Sequence, residues 1–107
     1  MTYAVYGTEH FEKETEKLSN FDKGIIRKII KELKENPYIG EPLSYRFFRE
    51  KRLREKRLYF LIYDDFNAVM LVAFGGKKAQ QETIDEIIKF HLEFKKHLGD
   101  FLKKKLN

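Results

Sequence analysis

The chain has 107 residues, of which 42% are hydrophobic and 15% aromatic, and it carries a formal net charge of +5. This length and this aromatic content predict one folded globular domain, residues 1–107, rather than a disordered chain. The absence of cysteine excludes a disulfide framework and thiolate metal sites, and no apolar run approaches the roughly 18 residues of a membrane helix. We therefore expect a cytoplasmic protein that makes no contact with a membrane.

The first third of the sequence predicts a strand and two helices. Residues 2–6 are β-branched and aromatic and favour a strand, after which Thr8 can cap a first helix. Ser19 offers a second cap. The apolar residues that follow have the one-sided spacing of an amphipathic helix, which Pro37 ends because the residue before a proline is pushed out of the α region. Two such helices in succession predict an α-hairpin that packs one face on a sheet.

The rest of the sequence predicts the sheet and a final helix. Three extended segments follow the hairpin, at residues 43–53, 57–64 and 68–74, with turns at 54–56 and 64–67. Gly75-Gly76-Lys77-Lys78 interrupts the chain before a helical stripe that we expect Gly99 to kink or end and whose lysine tail we expect to fray. Residues 91–107 form a C-terminal helical extension in this interpretation.

The predicted fold class is therefore α+β, in the order β-α-α-β-β-β-α. A small, mostly antiparallel sheet packs against the N-terminal α-hairpin, and a C-terminal helix follows.

Residues 44–59, here called the basic arm, hold the excess charge. Seven basic side chains stand against two glutamates there, an excess of five that equals the net charge of the whole chain. The seven are Arg46, Arg49, Lys51, Arg52, Arg54, Lys56 and Arg57. Cations in such a density, joined to an apolar strand, suit a polyanionic partner, although a solvated hairpin face is the alternative. Strand alternation would place Arg49 and Lys51 on the face opposite Arg52.

Several local motifs, in a fixed order, resemble the RelE/ParE toxin superfamily. Phe11-Glu12-Lys13 resembles its first helix, and Glu35-Asn36-Pro37 resembles the loop that leads into its sheet. The segment from Lys56 to Asp65 resembles the family's Arg-Leu-x-Tyr strand and the acidic turn after it. Phe74-Gly75-Gly76-Lys77-Lys78 resembles the family's basic segment after the last strand.

The resemblance implies the toxin of a prokaryotic toxin–antitoxin pair, neutralised by a cognate antitoxin and assembling as a homodimer or as a heterotetramer with that antitoxin. RelE-like members cut messenger RNA in the ribosomal A site, which makes mRNA and ribosomal RNA the expected partners. We therefore expect a ribosome-dependent mRNA endoribonuclease (an mRNA interferase) that inhibits translation and uses no metal or cofactor. Two alternatives stay open: a ParE-like toxin that acts on DNA gyrase without being a nuclease, and a degenerate domain that only binds an antitoxin.

The resemblance also assigns catalytic roles to individual residues. Arg57 matches the arginine that stabilises the phosphate in the transition state, and Lys78, with Lys77 beside it, is the nearest match to a second catalytic cation. Structural pairing with Asp64, Asp65 or a helix carboxylate is the alternative for Arg57. If Arg57 is catalytic, we expect its replacement by alanine to abolish toxicity while leaving the fold intact.

The remaining assignments concern RNA binding and proton transfer. The cations expected to bind RNA are Arg46, Arg49, Lys51, Arg52 and Arg54. Ile84 stands where the best-studied RelE-like pattern has a tyrosine, so the general acid and base stay open, with Glu82 and His91 as weak candidates. Metal-ligand spacing is absent from the sequence.

Overall fold

The computed structural model describes residues 2–106 and places a five-stranded sheet between two helical layers. In chain order the elements are β1 (Ala4–Gly7), α1 (Glu9–Glu16), α2 (Asn20–Glu35), β2 (Glu41–Leu43), β3 (Tyr45–Leu53), β4 (Lys56–Tyr63), β5 (Ala68–Gly76) and α3 (Gln80–Leu106). Short 3-10 turns at residues 37–39, 64–66 and 77–79 connect some of them. The predicted α+β class, the α-hairpin and the C-terminal helix are confirmed.

The strands lie in the order β1-β5-β4-β3-β2, and β4 is in the centre. Every neighbouring pair is antiparallel except β1 and β5, which run parallel. Residues 57–63 of β4 are all buried. A strand with seven consecutive buried residues requires a layer on each face of the sheet, because successive side chains point to opposite faces.

One helical layer covers each face. The α-hairpin of α1 and α2 packs on the first, here called the hairpin face, through Phe11, Ile26, Ile29, Leu33, Leu58, Phe60, Ile62, Val69 and Leu71. Helix α3 packs on the second, here called the α3 face, through Phe48, Tyr59, Leu61, Tyr63, Met70, Val72, Ile84, Ile87 and Leu98. The protein is thus a three-layer structure whose basic arm runs along β3 and into β4.

The predicted helix caps are present. The Thr8 side chain accepts a hydrogen bond from the backbone N–H of Phe11, and that of Ser19 accepts one from Asp22. Each satisfies an N–H group that has no partner within its own helix.

The structure corrects the predicted strand at residues 43–53. Ser44 has a φ of 64° and turns the chain back, so that β2 and β3 form a separate small hairpin and Leu43 lies opposite Tyr45. The glycine pair does not end the last strand, because β5 continues through Gly76.

The prediction that Gly99 ends the last helix was wrong, while a kink at Gly99 and fraying of the lysine tail stay predictions. Helix α3 runs without a break through Gly99 to Leu106. A Cβ at Gly99 would lie 3.4 Å from the Phe66 ring, an ordinary contact distance, so packing at this position does not require glycine.

Gly40 is a site where packing requires glycine, and Gly24 supplies a matched control. A Cβ at Gly40 would lie 2.7 Å from the Phe60 ring and 2.9 Å from the backbone oxygen of Glu50, whereas one at Gly24 would meet only a flexible arginine nitrogen at 3.9 Å. We expect Gly40→Ala to lower the free energy of unfolding by about 1–3 kcal/mol through overpacking. We expect Gly24→Ala, inside α2, to raise it by about 0.5–1 kcal/mol. Urea denaturation of both variants checks this, and equal effects would contradict it.

Asp64 joins two distant tyrosines at the end of β4. Its carboxylate accepts hydrogen bonds from the hydroxyls of Tyr3, at 2.9 Å, and Tyr38, at 2.5 Å. The Tyr38 bond is the main cause that lowers the pKa of Asp64. Burial, followed by the bond to Asp64, raises the pKa of Tyr38 to about 12.

These shifts predict how Asp64 contributes to stability as pH changes. A carboxyl group whose pKa is lowered by folding stabilises the protein fully at pH values above its pKa in the unfolded chain, about 3.9. That stabilisation is lost as the pH falls through the pKa of the group in the folded protein. Asp64→Asn should therefore lower the melting temperature at pH 7, and its difference from the unmodified protein should shrink below about pH 4. Thermal scans across pH test this against Asp65→Asn, whose exposed pairing with Lys95 should contribute little. A difference that does not change with pH would contradict it.

Candidate functional site

A buried arginine marks the site on the α3 face. Arg57 is 9% exposed, and its Nε lies 3.3 Å from Oε2 of Glu50, whose side chain is 14% exposed. Its Nη1 donates a 3.0 Å hydrogen bond to Oε1 of Gln80, the first residue of α3. The guanidinium is thus held between a carboxylate of β3 and the start of the helix that covers this face.

Strand register brings these side chains together. In the β3–β4 pair, Arg52 lies opposite Arg57, and Glu50 lies opposite Tyr59. Residues two apart on a strand share a face, and directly opposite residues point the same way. We call this group the Arg57 cluster: Arg57, Glu50, Tyr59 and Gln80.

The cluster has unused hydrogen-bonding capacity. Within residues 2–106, the Tyr59 hydroxyl is buried without a hydrogen-bond partner, and the contact between Arg57 Nε and Glu50 Oε2 does not itself have hydrogen-bond geometry. Burial, followed by the charge of Glu50, raises the pKa of Tyr59, while Arg57 lowers it. The Tyr59 hydroxyl therefore keeps its proton at neutral pH and is available as a donor.

Open space adjoins the cluster on the β5 side. Gly75 lies opposite Arg57 in the β4–β5 pair, and a Cβ built at Gly75 or Gly76 would meet no atom within 4 Å. Lys77 and Lys78, both exposed, follow in a 3-10 turn at residues 77–79, and Gln80 then begins α3. Both lysines thus lie between Gly75, which is paired with Arg57, and Gln80, which accepts a hydrogen bond from Arg57.

Solved structures of RelE proteins resemble this arrangement of sheet and helices. A mutant of the E. coli toxin RelE in the free state matches with a TM-score of 0.67 and 22% identity, covering 76% of this chain and 90% of that one. The archaeal RelE–RelB complex from Pyrococcus horikoshii matches with a TM-score of 0.65 and 14% identity, covering 73% of this chain and 98% of that one. The toxin–antitoxin complex RelBE2 from Mycobacterium tuberculosis matches with a TM-score of 0.63 and 20% identity, covering 72% of this chain and 100% of that one.

The chain has the RelE fold. No protein-family model matches the chain, and no curated protein matches its sequence. The likeness is therefore one of backbone architecture.

Two of the predicted RNA-binding cations lie away from Arg57 within this RelE fold. Arg49 and Lys51 lie opposite Phe60 and Leu58, which places them on the hairpin face and confirms the predicted alternation. Arg49 also donates from Nη1 to the backbone oxygens of Tyr38, at 3.1 Å, and Gly40, at 2.6 Å. Its guanidinium therefore holds the loop before β2.

The other predicted cations are more exposed. Arg52 is exposed and shares the α3 face with Arg57, as register requires. Arg46 lies with its guanidinium carbon 4.4 Å from the centre of the Tyr38 ring. Arg54, in the β3–β4 turn, lies 4.8 Å from the ring centre of Phe21, with its Nη2 3.6 Å from Asp22. The structure thus places one predicted RNA-binding cation, Arg52, beside the Arg57 cluster.

The candidates for proton transfer are dispersed. Ile84 is buried in the core of the α3 face, together with Tyr59. Glu82 is exposed in the first turn of α3. His91 is half-buried, with its Nδ1 2.7 Å from the Ile88 oxygen, and lies about 16 Å along α3 from Gln80.

The partners anticipated for Arg57 were wrong. Asp64 binds two tyrosines and Asp65 pairs with Lys95, while Arg57 contacts Glu50 and Gln80. The sequence did not reveal that Glu50 and Tyr59 lie next to Arg57. The available signal for Glu50 was its position two residues before Arg52, which gives both the same face as soon as the register is known.

Two further findings concern the described part of the chain. Within residues 2–106 there is no helix whose length and apolar character would let it cross a membrane. In that same range, histidine and acidic side chains do not gather in groups of three that could hold a metal ion.

Proposed function

We propose that this chain is the toxin of a toxin–antitoxin pair and acts in the cytoplasm as a ribosome-dependent endoribonuclease on messenger RNA. The observation that carries the proposal is the buried Arg57 guanidinium, held beside a carboxylate and next to open space over Gly75. The solved proteins that share the fold are described as RelE toxins and toxin–antitoxin complexes, which supports a toxin with a cognate antitoxin partner.

The proposed reaction uses the RNA's own 2′-hydroxyl. Its oxygen attacks the adjacent phosphorus, and the 5′-oxygen of the next nucleotide leaves. The upstream fragment then ends in a 2′,3′-cyclic phosphate, and the downstream fragment begins with a 5′-hydroxyl. Catalysis needs a base for the 2′-hydroxyl proton, stabilisation of the charge that grows on the phosphate, and a proton for the leaving oxygen.

Arg57 stabilises the phosphate in this proposal. A guanidinium presents a planar fork that can hold two phosphate oxygens, and it stays charged at all working pH values. The hydrogen bond to Gln80 and the contact with Glu50 fix the fork before substrate arrives. Such preorganisation strengthens charge stabilisation because little reordering is needed during the reaction.

Glu50 is the proposed general base. Its Oε2 lies 3.3 Å from Arg57 Nε, so a phosphate gripped by Arg57 would bring its neighbouring 2′-hydroxyl close to this carboxylate. Carboxylates are established general bases when placed within hydrogen-bond reach of the proton they take. Glu50 thus fills a role for which the sequence had offered only Glu82 and His91.

Further cations add positive charge to the proposed site. Lys77 and Lys78 supply further positive charge to the phosphate from the turn next to Gly76. Arg52 binds the RNA backbone beside the cluster, and Arg46 and Arg54, which are also exposed, bind it further away. Arg49 and Lys51 lie on the other face and take no part in catalysis.

Inducible expression in a bacterial host tests the assignment. The proposal expects growth arrest with loss of translation, and reversal when a small neighbouring gene that encodes the antitoxin is co-expressed. A DNA-damage response with translation intact would instead indicate a ParE-like activity on gyrase. Expression of folded protein without any growth defect would indicate a domain that only binds an antitoxin.

A further inference from the structure

Three rings form a small aromatic platform where β3 meets α3. The Tyr45 and Phe47 rings stack with their centroids 5.0 Å apart and an interplanar angle of 16°. His91 of α3 lies against both, with centroid distances of 5.9 Å to Tyr45 and 5.2 Å to Phe47. Tyr45 is 43% exposed, whereas Phe47 and His91 are half-buried. The platform, Tyr45, Phe47 and His91, therefore offers an aromatic surface to solvent and is supported from beneath.

The platform is held in place by its surroundings. His91 Nδ1 lies 2.7 Å from the Ile88 oxygen, and the Tyr63 hydroxyl donates a 3.1 Å hydrogen bond to the His91 backbone oxygen. Phe47 packs against the buried residues of both core layers. A ring fixed in this way loses little conformational entropy when a ligand stacks on it.

One exposed cation of the basic arm, Arg52, shares the α3 face with the platform. Arg46, between Tyr45 and Phe47 in sequence, instead carries its guanidinium over Tyr38, beside Arg49 of the hairpin face. Surfaces that bind single-stranded nucleic acid combine these two elements, because cations follow the phosphates while aromatic faces stack on bases of any identity. A protein partner with an apolar side chain would use the aromatic surface but would not need the cations.

We propose that the platform is a binding subsite for an unpaired nucleobase, which stacks on Tyr45 while its strand continues to Arg57. Tyr45 lies seven residues along β3 from Arg52, which is opposite Arg57, so the two positions are about 23 Å apart. A single strand held at both ends would span several nucleotides along the α3 face. The inference rests on the proposed function for the identity of the strand as RNA.

A binding assay with uncleavable oligonucleotides tests the subsite. The probe is a short single-stranded 2′-O-methyl RNA, which lacks the nucleophile, and the comparison probe is an abasic oligonucleotide of equal length and charge. Tyr45→Ala should weaken binding of the base-bearing probe by about fivefold to a hundredfold or more, since a stacked base contributes about 1–3 kcal/mol. The same variant should bind the abasic probe as the unmodified protein does.

Two further variants control for structure. Phe101, near the far end of α3, is 48% exposed, which is close to the 43% of Tyr45. Phe101→Ala should leave the affinities for the base-bearing probe and the abasic probe unchanged. Tyr45→Trp should keep the affinity and report directly on stacking, because the chain contains no tryptophan and quenching of its fluorescence can come only from position 45.

The outcomes separate this inference from the proposed function. Equal losses on both probes, or no loss on either, would overturn the subsite even if the protein cuts mRNA. Base-dependent binding with quenching would support it even if no cleavage were found. Weaker antitoxin binding by Tyr45→Ala, with oligonucleotide affinity unchanged, would overturn it in favour of a protein-binding surface.

Discussion

Replacement of Arg57 by alanine should abolish mRNA cleavage and growth arrest, and it should also weaken the fold. Removal of a preorganised donor to the transition-state phosphate is expected to slow cleavage at least about a hundredfold. The same change leaves the largely buried Glu50 carboxylate without its cation. Loss of one partner of a buried ion pair costs about 3 kcal/mol or more. The sequence alone predicted a variant with an intact fold, and the burial of Arg57 changes that expectation.

Two companion variants separate lost chemistry from lost stability. Arg57→Lys keeps a cation but not the planar fork, so it should fold and retain only weak cleavage. The double variant Arg57→Gln with Glu50→Gln removes both charges and should recover stability to within about 1 kcal/mol of the unmodified protein, because neither partner is left charged and alone. Urea denaturation and cleavage of a translated message, measured on purified protein, check both. A double variant that is stable and fully active would contradict the role given to this cluster.

Glu50→Gln should separate RNA binding from RNA cutting. Loss of a general base is expected to lower the cleavage rate by about a hundredfold to ten-thousandfold. Binding of an uncleavable 2′-O-methyl message should not weaken, because a negative charge next to Arg57 and the phosphate has been removed. Single-turnover cleavage and equilibrium binding on the same preparation measure the two effects.

Glu55→Gln is the matched control for that experiment. Glu55 is the other glutamate of the basic arm, and it is exposed in the β3–β4 turn, so the substitution makes the same change in net charge without touching Arg57. It should leave the cleavage rate unchanged. Equal rates for Glu50→Gln and the unmodified protein would contradict the role of Glu50 as general base.

Much of the fold could be predicted because its signals are local. Thr8 and Ser19 cap the starts of α1 and α2 through short-range hydrogen bonds, and Pro37 ends α2 through a steric effect on Asn36. The reversal at Ser44 could not be predicted, because its φ of 64° is imposed by the β2–β3 pairing rather than by a glycine at that position. The continuation of α3 through Gly99 was also misjudged, because a single glycine costs a helix only about 1 kcal/mol and did not end this one.

The candidate site was predicted less completely, because its composition depends on strand register. Arg57 could be proposed from its resemblance to a family motif. The residues that share its face depend on the turn at Arg54 and Glu55, whose length the sequence left open. Arg54 adopts a φ of 58°, the turn is tight, and Arg52 then pairs with Arg57. Only this register brings Glu50 opposite Tyr59 and beside the guanidinium.

Mapping of RNA ends in a reconstituted translation reaction tests the central claim most directly. With the unmodified protein, primer extension should show new 5′ ends within the open reading frame only when ribosomes are translating, and Arg57→Lys should nearly eliminate them. The downstream fragments should carry a 5′-hydroxyl, so that a polynucleotide kinase labels them without prior phosphatase treatment. Loss of translation without new RNA ends, or fragments that begin with a 5′-phosphate, would contradict cleavage by the RNA's own 2′-hydroxyl at the Arg57 cluster.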